Sequence, residues 1–119
     1  MKLTFKPYNL ILKHTFSIAN YSRKTTPIVL VQIEYNGVIG YGEASLPQYL
    51  GETQDSVCTF LRKVDLSRFN IQTNIAEIML YVDAIENKNT AAKAAIDIAL
   101  HDLKGKVTHQ SVREMLGIK

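Results

Sequence analysis

Ala91-Ala92-Lys93-Ala94-Ala95-Ile96-Asp97-Ile98-Ala99-Leu100-His101-Asp102-Leu103-Lys104-Gly105-Lys106, followed a little later by Met115-Leu116-Gly117, is the stretch on which the architecture turns. Its apolar residues recur at Ala92, Ala95, Ala99 and Leu103, with Ile96 and Leu100 alongside, the spacing of an amphipathic helix. The alanines on that face admit another backbone at close range. Ala94 and Ile98 form a second apolar stripe, so the helix is expected to pack on two sides. One of the two partners is expected to lie beyond Lys119, where the sequence stops.

Upstream, two more helices are predicted. Thr53 caps one that carries Val57, Phe60, Leu61 and Val64 at i, i+3, i+4 and i+7. Asn74 with Glu77 three residues on reads as a capping box, opening a helix with Ile75, Ile78, Met79, Val82 and Ile85 on one side. The alanine-rich helix opens at Asn89 or Thr90 and is expected to end near Gly105.

Before the helices the pattern is that of strands. Residues 28–35 are β-branched and apolar, then alternating: a strand buried on both faces at its start. Asn36-Gly37 is a strong two-residue hairpin signal, and residues 38–44 return from it, with Gly40 and Gly42 marking close backbone approach. Residues 2–12 alternate with a change of phase at Pro7, which implies a bulge or an edge strand. The expected fold is α+β, a three-stranded antiparallel meander followed by a three-helix layer. In a meander, segments 13–26 and 45–52 leave the same end of the sheet, opposite Asn36-Gly37. Two long loops at one end of a rigid sheet are where binding residues concentrate. Lys13, His14, Arg23 and Lys24 give the first a cationic rim suited to a carboxylate; Leu46, Pro47, Tyr49 and Leu50 give the second an apolar wall.

Composition narrows the function classes. A net charge of +3 with scattered basic residues argues against nucleic acid as a partner. The longest apolar run, residues 27–33, is far too short to span a bilayer, and the N-terminus lacks the apolar core of a signal peptide. The single cysteine, Cys58, has no internal disulfide partner and reads as a core thiol. A cytoplasmic protein is expected.

Catalytic chemistry is sparse. His14, His101 and His109 are far apart and lack metal-ligand spacing. Asp97 and Asp102, five apart on a helix, diverge too far to act as an acid–base pair; they read as a polar helix edge, with Asp102 bonding a neighbouring backbone. Gly40-Tyr41-Gly42-Glu43 lacks the third glycine and following helix of a dinucleotide fingerprint. No catalytic set assembles from these residues.

Gly40-Tyr41-Gly42-Glu43-Ala44, the loop after it, and the alanine-rich helix through Met115-Leu116-Gly117 together resemble the N-terminal capping domain of the enolase superfamily. Residues 20–27 (Asn-Tyr-Ser-Arg-Lys-Thr-Thr-Pro), Gly42-Glu43-Ala44-Ser45 and Tyr49-Leu50-Gly51-Glu52-Thr53 make the chain most similar to the dipeptide epimerases of the muconate-lactonising subgroup, the L-Ala-D/L-Glu epimerase type. The resemblance implies residues 1–110 as the capping domain and 111–119 as the start of a connection to a (β/α) barrel absent from this chain. It implies proton abstraction α to a carboxylate-derived carbonyl, with Mg²⁺ stabilising the enediolate. Two lysines, three acidic metal ligands and a dipeptide-binding Asp-x-Asp element would all sit on that barrel, so no catalytic or metal residue is expected in this chain, and these 119 residues alone are expected to be inactive. The implied partners are a dipeptide substrate, the chain's own barrel and, in the intact enzyme, further copies in a homo-oligomer.

The specificity residues implied here are Tyr21, Arg23 and Lys24 in the first loop and Tyr49 and Leu50 in the second. Glu-specific family members place an arginine in the first loop; by length Tyr21 falls at that position, with Arg23 two residues later, and both remain candidates. Two other readings stand beside this one. One is a different reaction of the subgroup, cycloisomerisation or o-succinylbenzoate synthesis. The other is a free-standing, non-catalytic small-ligand binding module.

Overall fold

Asn36 and Gly37 both adopt positive φ, 48° and 82°, as a two-residue hairpin turn of the I′ kind requires. The turn joins β2 (Thr25–Tyr35) to β3 (Val38–Ser45), and β2 pairs on its other side with β1 (Lys2–Ile11). All pairings are antiparallel and the sheet order is β1-β2-β3, the expected meander. The computed structural model describes residues 1–11, 25–46 and 52–108. Three helices follow the sheet: α1 (Gln54–Leu61), α2 (Ile75–Ile85) and α3 (Thr90–Thr108).

Pro7 produces no bulge. The β1–β2 register runs unbroken through Pro7↔Val29, so of the two expectations for Pro7 only the edge strand holds. The register explains why. Counting in twos from the Tyr35↔Val38 pair that closes the hairpin, odd-numbered residues of β2 direct their backbone groups at β3 and even-numbered ones at β1. Pro7 lies opposite odd-numbered Val29, so its nitrogen faces the free edge, where the ladder needs no donor.

The cross-strand rows Leu3–Ile33–Gly40, Phe5–Val31–Gly42 and Pro7–Val29–Ala44 share one sheet face. Val29, Val31 and Ile33 are fully buried on it, beneath the helices. At its start β2 is buried on both faces, as expected, with Ile28 5% and Val29 0% exposed. Helix α3 lies across β3 on the face predicted for it: Ala92, Ala95, Ile96, Ala99, Leu100 and Leu103 are all buried. Phe60, Leu61, Leu66, Ile78 and Val82 complete the core, and Cys58 is a buried thiol whose pKa burial pushes up.

Three local expectations need correction. Helix α3 does not stop near Gly105 but continues to Thr108, whose hydroxyl bonds Lys104 O at 2.7 Å. Helix α1 ends at Leu61, so Val64 is buried from the turn beyond it. At α2, Asn74 accepts from Ala76 N at 2.8 Å, an Asx cap without a reciprocal bond from Glu77. The reciprocal box instead occurs at α1, where Ser56 N donates to Thr53 Oγ1 and Thr53 N bonds Ser56 Oγ. A serine at the third helical position does there what a glutamate was expected to do at α2.

Candidate functional site

The pairs Ile11↔Thr25 and Ile28↔Ser45 place the end of β1, the start of β2 and the end of β3 together, at the sheet end opposite Asn36-Gly37. Thr25 and Thr26 belong to β2 and Ser45 to β3, although the sequence reading placed all three in the connecting segments. Glu52, Thr53 and Gln54 are fastened in succession, to α3, into the cap of α1 and to the β1–β2 pair. Ala91 N, in the first turn of α3, lies 3.4 Å from Glu52 Oε1. Thr53 and Ser56 close the cap of α1. Gln54 Nε2 donates to Tyr8 O on β1 at 2.9 Å and to Ile28 O on β2 at 3.0 Å.

Beside this junction an open cleft of about 790 Å³ runs between the end of β3 and the start of α3. Glu43, Ser45 and Glu52 line it together with residues 87–91, Lys88 among them, and Ala94. Asn89 takes the left-handed conformation (φ 73°) just before α3, and its amide donates to Glu86 Oε2 at 2.7 Å. Lys63 and Asn89 both donate to the Glu86 carboxylate, and the Lys63 bond above all holds its pKa below the usual glutamate range. The cleft thus combines two carboxylates, two hydroxyls, the Lys88 ammonium and a helix N-terminus with small apolar residues, a lining that can hold a polar ligand group; within it Ser45 Oγ lies 3.5 Å from Glu43 Oε1.

Farther down β3, Asp102 and Lys106 of α3 occupy the strand's free edge. Tyr41 N donates to Asp102 Oδ2 at 2.9 Å, and Lys106 Nζ donates to Ile39 O at 2.9 Å while pairing with Asp102 at 2.9 Å. The Lys106 ammonium also stands 4.7 Å from the centre of the Tyr41 ring. Burial raises the Asp102 pKa, but the bonds from Lys106 and Tyr41 outweigh it and leave the carboxyl below its ordinary value. The expectation that Asp102 bonds a neighbouring backbone is met. His101 turns instead to its own helix, with Nδ1 2.9 Å from Asp97 O.

With this geometry in view, comparison with known proteins is decisive. Residues 4–117 match the model of the mandelate racemase / muconate lactonizing enzyme N-terminal domain. The chain belongs to this family. It is 60% identical over 90% of its length to an L-Ala-D/L-Glu epimerase from Bacteroides thetaiotaomicron. A dipeptide epimerase from Enterococcus faecalis, solved with Mg and L-Leu-L-Tyr, superposes with a TM-score of 0.79 over 96% of the chain at 30% identity. A 2-chloromuconate cycloisomerase from Rhodococcus opacus superposes with a TM-score of 0.80 over 98% at 25% identity. The chain spans 28% of the Bacteroides protein and 33% of each of these two structures.

Tyr21, Arg23, Lys24, Tyr49 and Leu50, the residues predicted to face substrate, lie outside the described residues. Sequence reasoning missed Gln54 altogether, and it placed Glu52 in the second segment without its contact to Ala91 of α3. The available signal was a glutamine at the first helical position, where the helix dipole favours an acid. Among the described residues no three His, Cys, Asp or Glu side chains converge as a metal site, and no helix is long and apolar enough to cross a membrane.

Proposed function

We propose that the intact protein is a magnesium-dependent dipeptide epimerase and that this chain supplies its capping domain, with segments 13–26 and 45–52 selecting the side chains of the dipeptide. The observation that carries this is the 60% identity to an L-Ala-D/L-Glu epimerase across nine-tenths of the chain. Fold likeness alone does not choose between reactions, because the epimerase and cycloisomerase structures superpose equally well; sequence identity favours the epimerase. Dipeptide and Mg in the Enterococcus complex support that substrate class and that metal for the intact enzyme.

In this reading the reaction removes the proton α to a carbonyl from one face of the substrate and returns a proton to the other. A divalent cation would stabilise the charge that develops on the carbonyl oxygen. The described residues offer no cluster to hold it, so no step is assigned to them through the metal. Their contribution is to hold two segments at one end of a rigid sheet, where they bind the substrate side chains and exclude water. Within the first segment Arg23, with Lys24 nearby, is the group suited to an acidic second residue; Tyr21 in that place would suit an apolar or small one. Tyr49 and Leu50 would form the apolar wall.

The test uses the intact protein in D2O. Deuterium should enter the α-position of Ala-Xaa dipeptides with loss of optical purity, and chelation of Mg²⁺ should stop it. Turnover of muconates or of an o-succinylbenzoate precursor without any dipeptide exchange would establish the runner-up reaction instead.

A further inference from the structure

We propose that Gln54 is a positioning residue of the substrate site, clasping the β1–β2 pair near Ile11↔Thr25, between which the first segment runs in sequence, to the first residue of α1, which follows the second segment. The proposal rests on the reading of those two segments as substrate-selecting, and it goes beyond that reading by naming what sets their relative position.

The geometry is specific. Tyr8 and Ile28 lie opposite each other, and by the register they form a hydrogen-bonded pair, each using one lone pair of its carbonyl oxygen within the ladder. The Gln54 amide nitrogen reaches both oxygens, at 2.9 and 3.0 Å, and so takes up a second lone pair on each. Asn9 Oδ1, at 3.4 Å, is a third acceptor around the same nitrogen. With acceptors on every side, only the NH2 end of the amide can face inward; a carboxylate or a methyl group in its place would leave or repel those oxygens.

Nothing in α1 itself calls for this side chain. The helix start is already satisfied by the Thr53–Ser56 box, and glutamine has no advantage over its neighbours in propensity at this position. Its amide instead bridges sequence separations of 46 and 26 residues. The bridge lies three pairs along β1–β2 from the Ile11↔Thr25 end and at the first residue of α1, two residues beyond Glu52. Glu52, bonded to the first turn of α3, fixes the other side of the same junction. A shift of Gln54 would therefore move the base of one segment against the base of the other, which alters how tightly substrate side chains are held more than the chemistry on the barrel.

The experiment compares the intact wild-type protein with Gln54→Met, which keeps side-chain length without a donor, and Gln54→Glu. The Met variant should raise KM for the preferred dipeptide about tenfold with kcat within twofold. It should also speed amide hydrogen exchange at residues 8–11 and 25–28 while leaving 33–40 unchanged. The Glu variant should raise KM at least as much as Met across pH 6–8, because its carboxylate is ionised there and faces the two carbonyl oxygens with no proton to donate. A KM within twofold of wild type in the Met variant overturns the proposal, even if its melting temperature falls. If the wild type exchanges no dipeptide proton, the proposed reaction is at fault, and the exchange comparison at residues 8–11 and 25–28 decides the clasp: equal rates in wild type and Met variant remove it.

Discussion

A Cβ built on Gly42 would stand 2.0 Å from the carbonyl oxygen of Ala95. Strand β3 and helix α3 therefore touch backbone to backbone, and at Gly40 the same construction meets Ala99 O at 2.3 Å and Leu103 N at 2.5 Å. The seam needs glycine on the strand and alanine on the helix together. It also sets how α3 crosses the sheet, and so where its first turn meets Glu52 beside the cleft.

Gly42→Ala forces strand and helix apart, because the obstacle is backbone rather than a side chain that can rotate. A cost of at least about 2–3 kcal/mol is expected from overpacking of this kind. Gly37→Ala is the matched comparison: it has open space but a φ of +82°, so only the left-handed penalty of about 1–2 kcal/mol applies. Thermal melts of the intact protein should order them wild type, Gly37→Ala, Gly42→Ala. A Gly42→Ala melt equal to wild type would show that the seam yields.

The Asp102–Lys106 pair caps the free edge of β3, and its removal should loosen α3 from the strand. Asp102→Ala is expected to cost about 1 kcal/mol at pH 7, the scale of a hydrogen bond to a charged group reduced by solvent exposure. Because the folded-state pKa of Asp102 is depressed, this stability is fully present above the ordinary aspartate value of about 3.9 and is lost as pH falls through the lower folded value. Melting temperatures of wild type and variant should therefore converge in acid. A gap that stays constant down to pH 3 would separate the edge cap from the ionisation of Asp102.

Most of the fold was legible because periodicity and turn chemistry act locally. Asn36-Gly37 announced its hairpin, and the three-to-four-residue spacing of apolar residues in α3 announced its buried face, since both signals follow from backbone geometry within a few residues. Pro7 was ambiguous because a bulge and an edge give the same one-residue disturbance in sequence, and only the pairing partner tells them apart. Gly105 looked like a helix end but lies inside the last turn, with Lys106 beyond it bonded to Ile39 O on β3. That tertiary bond, like those of Gln54 to Tyr8 and Ile28, joins residues tens of positions apart and leaves no periodic trace.

Thr53→Ala removes the side chain that accepts from Ser56 N and breaks the box at α1. Loss of such a cap costs about 1 kcal/mol, whereas Thr53→Ser keeps the hydroxyl and should stay within about 0.5 kcal/mol of wild type. The prediction is checked by melting both variants in parallel. Equal losses for alanine and serine would assign the effect to the threonine methyl group rather than to the cap.

Arg23→Ala tests the substrate preference proposed for the first segment. If the guanidinium meets the side-chain carboxylate of an acidic second residue, its removal leaves that charge without a partner, and charge-assisted bonds of this kind contribute about 1.5–3 kcal/mol. KM for Ala-Glu should then rise at least tenfold while KM for an apolar dipeptide changes less than twofold. Tyr21→Phe should leave Ala-Glu unaffected. The reverse pattern, with Arg23→Ala silent and Tyr21→Phe shifting KM, would give the position to the tyrosine and make an apolar or small second residue the preferred one. Equal effects of Arg23→Ala on both dipeptides would remove the arginine from the site altogether, because a general loosening of the segment does not distinguish a carboxylate from a methyl group.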